Sequence, residues 1–244
     1  MTTIEYLDAQ AESPFWKQAR KATVDALGLT HGTTALDVGC GTGEDTRHMA
    51  AAAGSAIGID ADAALVEEAS HRTGPEYEAR FEQATADHLP FPDGTFTGVR
   101  VDRALQDVDD LGAALQELWR VTMPGGRIVL LEPDWDTFVI DAGPLAATRA
   151  VCRAWADGVE HPAAGRQAAR RLRKLGATGV QIEPRTAALT DFAAAEQQYR
   201  LTDLATSTLS GSAARAWLGT LRERDEQGAF LAAVTYFLVS AVRP

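Results

Sequence analysis

Glycines at 39, 41 and 43 stand in the run Asp37-Val38-Gly39-Cys40-Gly41-Thr42-Gly43, between a short apolar stretch from Ala35 and a helical pattern from Glu44. Glycine there allows positive φ and lets the backbone come close to a ligand. The N–H groups that open the following helix favour an anionic group. Alone, such a loop is a weak signal, shared by several nucleotide-like cofactors. Charge narrows the choice. Asp37 lies just ahead of the first glycine, where a carboxylate repels a pyrophosphate, while Asp60 and Asp87 close the next two strand patterns. Asp60 stands where an acid binds both hydroxyls of a ribose, and Asp87 where an acceptor meets an adenine amino group. Acids around a helix N-terminus suit a ligand with a cationic sulfonium and amine and a single carboxylate, a description that S-adenosylmethionine meets. The bland alternative for each acid is a solvated strand end or a helix cap.

These residues need a scaffold that brings successive strand ends together. A helix is expected over Pro14 to Leu27, capped by Ser13 and ended by Gly28. Strands are expected at 35–38, 56–60, 77–84, 97–102 and 127–132, the last closed by Pro133, with helices at 44–53, 63–71 and 111–122. Strands alternating with helices of this length make βαβ units and a parallel sheet. Beyond Pro133 the rhythm changes: helices at 145–157, 165–175, 193–204 and 213–227, and strands at 180–189 and 235–242. With no repeat and no low-complexity linker, one α/β domain over 1–244 is expected: a helical cap at 1–29, a cofactor-binding core at 30–135, and lid helices with the last two strands at 136–244.

Composition sets limits. The chain has 244 residues, 45% of them hydrophobic, and a net charge of -11. That acidity argues against nucleic acid as a partner. Two cysteines, Cys40 and Cys152, make no disulfide framework and fit a reducing cytoplasm. The polar N-terminus carries no secretory pattern, and the apolar stretch Ala229 to Val242 is too short for a membrane span. The expected partner is a small-molecule substrate, with no membrane and no nucleic acid; a homodimer stays open.

With these motifs in view, the sequence resembles a class I methyltransferase, closest to the ubiquinone/menaquinone-biosynthesis type (methyltransferase type 11) and its natural-product relatives. Leu36-Asp-Val-Gly-Cys-Gly-Thr-Gly43 matches the family's first motif, Gly58-Ile-Asp60 the second, Ala86-Asp-His-Leu-Pro-Phe-Pro-Asp-Gly-Thr-Phe96 the third, and Pro124 to Pro133 the approach to and run of strand five. The resemblance covers roughly residues 30 to 135. It implies a Rossmann-like seven-stranded sheet in the order 3-2-1-4-5-7-6, strand seven antiparallel, with helices on both faces and an N-terminal and late helical lid. It further implies that S-adenosyl-L-methionine is the cofactor. Gly39 and Gly41 would meet its methionine part through backbone, Asp60 and Ala61 the ribose, Ala86, Asp87 and His88 the adenine, and Asp102 and Arg103 the methionine and methyl group. With Asp37 and Gly43 these make up the expected cofactor site. Relatives often carry histidine after strand four, where this chain reads Leu105-Gln106-Asp107-Val108, which leaves a histidine base from that segment in doubt.

Methyl transfer is a direct displacement that asks the protein for alignment and exclusion of water, and a base only where the nucleophile is a hydroxyl or a weakly acidic carbon. Of five histidines, His31, His48, His71 and His88 read as surface, structural or adenine-packing residues. His161, in the lid region, is the base candidate; a loop residue is its alternative. No metal site is expected, since no two histidines share ligand spacing with a third partner, and the acids Glu132, Asp134, Asp136 and Asp141 read as a polar loop. Tyr6, Phe15, Trp16, Trp135 and Trp155 are the candidate substrate residues, an aromatic pocket suited to a planar or terpenoid acceptor. The arginines from Arg166 to Arg173 read as a solvated helix face. The alternative to methyl transfer is a cyclase or isomerase that keeps the cofactor as an unconsumed element.

Overall fold

The structure is a computed structural model that describes residues 2–244. Helix α1 (Thr3–Glu12) opens on a capping box: the Thr2 hydroxyl accepts the Glu5 N–H at 3.2 Å, and the Glu5 carboxylate accepts the Thr2 N–H at 2.7 Å. Helix α2 (Pro14–Leu27) follows with proline in its first turn and ends at Gly28, whose φ of 60° is left-handed. The core then alternates β1 (Thr33–Val38), α3 (Glu44–Ala53), β2 (Gly54–Asp60), α4 (Ala63–His71), β3 (Ala79–Gln83), β4 (Phe96–Asp102), α5 (Leu111–Val121) and β5 (Thr122–Ile140). After it come α6 (Leu145–Asp157), α7 (Ala164–Lys174), β6 (Thr178–Leu189), α8 (Phe192–Tyr199), α9 (Leu201–Thr208), α10 (Gly211–Glu226) and β7 (Ala232–Val242).

The strands form one sheet in the order β3-β2-β1-β4-β5-β7-β6. The pairings from β3 through β5 are parallel, and β7 runs antiparallel to both β5 and β6, as the resemblance implies. The central strands are buried on both faces because helices cover both. Alternation along each strand sorts the core into two layers. Ala35, Val129 and Leu131 pack with Trp16, Met49, Val151 and Trp217 on one side. Leu36, Val38, Val99, Val101, Ile128 and Leu130 pack with Leu115, Leu118 and Leu172 on the other.

Three departures from the expected elements bear on the site. Helix α1 was not expected, although Thr2 and Glu5 carry its capping signature. Strand β5 does not stop at Pro133. Its pairing with β4 ends at Leu131, but β7 continues beside it to Ile140, so the proline lies where β5 has only one neighbour and its missing N–H is tolerated. The helix expected over 193–204 is two helices, α8 and α9, broken at Arg200, whose φ of 48° is left-handed.

Candidate active site

The carboxyl ends of β1, β2 and β4 open into a cavity of about 630 Å³, the size of a small-molecule site. The glycine loop forms its floor and is held by its own strand ends. The Gly39 and Cys40 N–H groups donate to the Ile59 carbonyl at 2.8 and 2.9 Å, and the Gly43 N–H to the Cys40 carbonyl at 2.9 Å. The Gly41 N–H donates to Asp60 Oδ2 at 2.9 Å, while Asp60 Oδ1 accepts the Asp62 N–H at 3.0 Å. The amides of residues 39, 40, 41 and 43 are therefore engaged. What Gly39 offers a ligand is its carbonyl, which has no partner among the described residues. A Cβ on Gly39 would lie 2.6 Å from the Ala104 Cβ, so the segment after β4 is packed directly on the loop.

Beneath the loop lies a buried charge cluster. Arg100, 2% exposed, donates to Asp37 Oδ1 at 2.8 Å, Asp45 Oδ2 at 2.9 Å, Asp102 Oδ2 at 2.7 Å and the Thr23 hydroxyl at 2.7 Å. Burial opposes its charge, yet the three carboxylates hold its pKa above the ordinary arginine value. Burial likewise opposes ionisation of Asp45, but Arg100, His48 and Arg20 together outweigh it and keep that carboxyl at about 2. Asp37 is wholly enclosed, accepts the Thr46 hydroxyl at 2.8 Å, and is absent from the cavity wall. It steadies the loop from below instead of facing a ligand. Gly43 is also off the wall. Its φ is 78°, and a Cβ there would strike the Phe81 ring at 2.6 Å, so helix packing and backbone geometry demand this glycine.

The remaining expected cofactor residues divide. Gly39, Gly41, Asp60, Ala61, Ala86, Asp87 and Arg103 line the cavity. His88 does not: it is exposed, and its N–H closes a turn on the Thr85 carbonyl at 3.1 Å. The wall carries Glu44, Asp45, Asp60, Asp87, Asp102, Asp107 and Asp109 against only Arg20, Arg100 and Arg103. That excess of acid suits a cationic ligand.

Away from the loop the wall becomes aromatic. Trp135 makes edge contacts with Trp155, Tyr199 and Tyr236 at centroid separations of 5.4, 6.1 and 6.4 Å. Each such pair contributes about 0.5–1.5 kcal/mol beyond area burial. The Trp135 indole N–H donates to Gln106 Oε1 at 2.7 Å and its backbone N–H to the Pro162 carbonyl at 2.8 Å. Tyr6 from α1 and Trp16 from α2 complete this half. Phe15, expected beside them, lies behind the wall, packed on Trp16 at 4.9 Å and Tyr236 at 6.0 Å. Tyr199, Tyr236 and Gln10 line the cavity but were not expected to. Alternation along β7 is the signal that could have found Tyr236; Tyr199, at a helix end before Arg200, has none.

His161 does not reach the cavity. Its Nε2–H donates to the Val108 carbonyl at 2.8 Å and its backbone N–H to the Gln106 carbonyl at 2.9 Å. It is a latch on the segment after β4, with its ring engaged by that carbonyl. From the other side the same segment hangs on Glu132. This residue is fully buried, and its Oε1 accepts the N–H groups of Ala104 at 3.1 Å and Leu105 at 2.9 Å. Burial lifts the Glu132 pKa to about 8. The neighbouring acids Asp134 and Asp136 both pair with Arg166, which accounts for one arginine of the α7 face.

The sheet has the strand order of the class I methyltransferases, and comparison with known proteins agrees. The family described as Methyltransferase domain (type 11) matches residues 36–130. An uncharacterised 37.1 kDa protein in transposon TN4556 of Streptomyces fradiae is 37% identical over 247 residues, 98% of this chain and 70% of that protein. The demethylmenaquinone methyltransferase of Beutenbergia cavernae is 36% identical over 122 residues, about half of each chain (49% and 50%). Among solved structures, the YcgJ protein of Bacillus subtilis has a TM-score of 0.68 at 17% identity, covering 93% of this chain and 98% of its own. A geranyl diphosphate C-methyltransferase of Streptomyces coelicolor, solved with S-adenosyl-L-homocysteine, has a TM-score of 0.62 at 21% identity, covering 93% and 79%. The chain belongs to the S-adenosylmethionine-dependent class I methyltransferases with a type 11 methyltransferase domain.

Proposed function

We propose that this chain transfers a methyl group from S-adenosylmethionine to a small-molecule acceptor, a natural-product intermediate with a planar or extended apolar body. The observation that carries the reading is the single cavity shared by the glycine loop, Asp60 and Asp87 on one side and Trp16, Trp135, Trp155, Tyr199 and Tyr236 on the other. The residues present suit the cofactor. The free Gly39 carbonyl is an acceptor for an ammonium group, Asp60 keeps acceptor capacity beyond its two backbone bonds, and Asp87 stands at the strand end beyond it. When bound, the cofactor supplies an electrophilic methyl on a sulfonium. The chain's own part is to grip the donor by these acceptors, to keep water out with the aromatic wall, and to hold the acceptor in line.

No histidine lines the cavity, and burial keeps the Tyr199 and Tyr236 phenols protonated well beyond neutral pH. This favours acceptors that arrive already nucleophilic. Calorimetry with S-adenosylhomocysteine tests the reading. Asp60→Ala is expected to weaken binding by about tenfold or more, the worth of a charge-assisted hydrogen bond. Equal binding by the variant, or tighter binding of NAD, overturns it.

A further inference from the structure

Arg103 is placed unlike any other cation of the cavity. Its φ of 57° lies in the left-handed region, which is strained for a residue with a Cβ. Such strain, at the end of a strand and against a cavity, marks a side chain aimed for a purpose. The guanidinium carbon sits 3.8 Å from the centroid of the Trp16 ring, Nε donates to Asp102 Oδ1 at 2.7 Å, and Nη1 donates to Gln10 Oε1. Nη2 has no partner among the described residues, on a side chain that lines the cavity.

Phenol groups gather round it. Gln10 donates to the Tyr6 oxygen, so the Tyr6 O–H points its hydrogen elsewhere. Tyr199 and Tyr236 line the cavity at 1% and 2% exposure, and neither hydroxyl is hydrogen-bonded to the protein or enclosed without access to the cavity. Tyr6 and Tyr236 both feel the charge of Arg103, and Tyr6 and Tyr199 feel each other. Donors are thus grouped on the aromatic half, whereas four of the seven acids of the wall already hold partners. Asp45 and Asp102 pair with Arg100, Glu44 with Arg20, and Asp60 with the Gly41 and Asp62 amides.

We propose that Arg103 Nη2 and the hydroxyls of Tyr6, Tyr199 and Tyr236 form an oxyanion subsite for the acceptor. It receives a singly charged carboxylate, phenolate or enolate carried on a planar apolar body. The inference rests on the methyltransferase reading above and says what that acceptor must carry. A planar guanidinium with one free nitrogen and neutral phenols around it matches one negative charge. A diphosphate would need more cations than the aromatic half provides. An ammonium group on the acceptor would meet the positive charge of Arg103, which already covers the Trp16 face. The same oxyanion chemistry exists in the carboxylate of the methyl donor, so the test separates the two sources.

Protein loaded with S-adenosylhomocysteine is titrated with benzoate, benzyl alcohol and benzylamine, one ring with a negative, neutral and positive arm, followed by calorimetry and by tryptophan fluorescence. Benzoate is expected to bind about tenfold or more tighter than the other two. Arg103→Leu should remove that preference while changing S-adenosylhomocysteine affinity less than about threefold, and Tyr236→Phe and Tyr199→Phe should each weaken benzoate by about threefold or more. The tyrosine variants keep the ring packing, so with Arg103→Lys they carry the test if Arg103→Leu does not fold. Tighter or equal binding of benzylamine, a preference that survives loss of Arg103, or no binding of any of the three overturns the proposal. So does a loss of S-adenosylhomocysteine affinity in Arg103→Leu as large as the loss for benzoate, since the oxyanion would then be the donor's. Failure of the wild type to bind S-adenosylhomocysteine at all would instead sink the methyltransferase reading itself.

Discussion

Asp37 and Arg100 are register partners on adjacent parallel strands, and their side chains meet on the same face in a fully buried ion pair of 2.8 Å. The pair joins β1 to β4 directly beneath the glycine loop, and Asp45 brings the start of α3 into the same cluster. The loop is thus seated on charge that the solvent does not reach.

Asp37→Asn should therefore act on stability. Removing one partner of a buried pair leaves the other uncompensated, at a cost of about 3 kcal/mol, the lower end of the range because Asp45 and Asp102 still hold Arg100. Urea unfolding reads that loss. S-adenosylhomocysteine affinity, measured below the unfolding transition, should move less than about threefold, because a side chain off the cavity wall gives up no ligand hydrogen bond. A large loss of affinity at unchanged stability would put Asp37 in contact with ligand after all.

His161→Ala removes one side-chain hydrogen bond to the Val108 carbonyl, which amounts to about 1 kcal/mol. For a chain of this size the melting temperature should fall by about 2–4 °C, with S-adenosylhomocysteine binding unchanged. If the histidine were instead a base, thermal stability would hold while turnover lost its dependence on pH near neutrality.

Glu132 makes stability depend on pH. Its carboxyl is raised from 4.5 to about 8 in the folded chain, chiefly by burial. Above pH 4.5 the unfolded chain releases this proton while the folded chain keeps it, so Glu132 costs stability as pH rises through the window up to about 8, and the cost levels off beyond. Glu132→Gln can still accept the Ala104 and Leu105 amides but cannot ionise. Its stability relative to wild type should grow by on the order of a few kcal/mol between about pH 5.5 and about pH 8.5. Parallel urea curves at the two pH values, with no change in the difference, would show that the carboxyl titrates normally.

Methyl transfer predicts that S-adenosylhomocysteine appears in step with methylated product once an acceptor carrying an oxyanion is supplied. A cyclase or isomerase that merely keeps the cofactor would turn over without it. Mass spectrometry of both species over a time course decides between them.

How far the sequence could be read follows from where its signals lie. Helices α3 and α4 were legible to the residue, because a glycine loop or an aspartate cap starts each and Gly54 or His71 ends it. The sheet order came from the resemblance; local patterns gave only its strands. The acids were harder. Asp37, Asp60 and Asp87 follow one rule along the chain, yet Asp37 points to the interior and the other two to the cavity, and position in sequence alone does not tell which face of a strand end is wet. His161 was drawn toward chemistry by its residue type, while its ring was engaged by a carbonyl from another part of the chain. Tyr199 reaches the wall only because α8 folds over it, a long-range consequence with no local mark, whereas the alternation along β7 marks the face of Tyr236 but not what that face meets.

The stretch of β5 beyond Leu131 is a cantilever. It leaves β4 behind, keeps β7 as its only partner, and between Asp134 and Val139 its register slips to let Trp135 through Phe138 swing out. The glycine loop and Asp60 sit on β1 and β2, each braced from both sides, whereas the aromatic wall is carried on an end of β5 braced only from the β7 side, with Tyr236 opposite Pro133. On the proposed reading, substitutions along that overhang would reshape what is methylated without loosening the hold on the methyl donor, so one sheet could serve unrelated acceptors by changing only its free end.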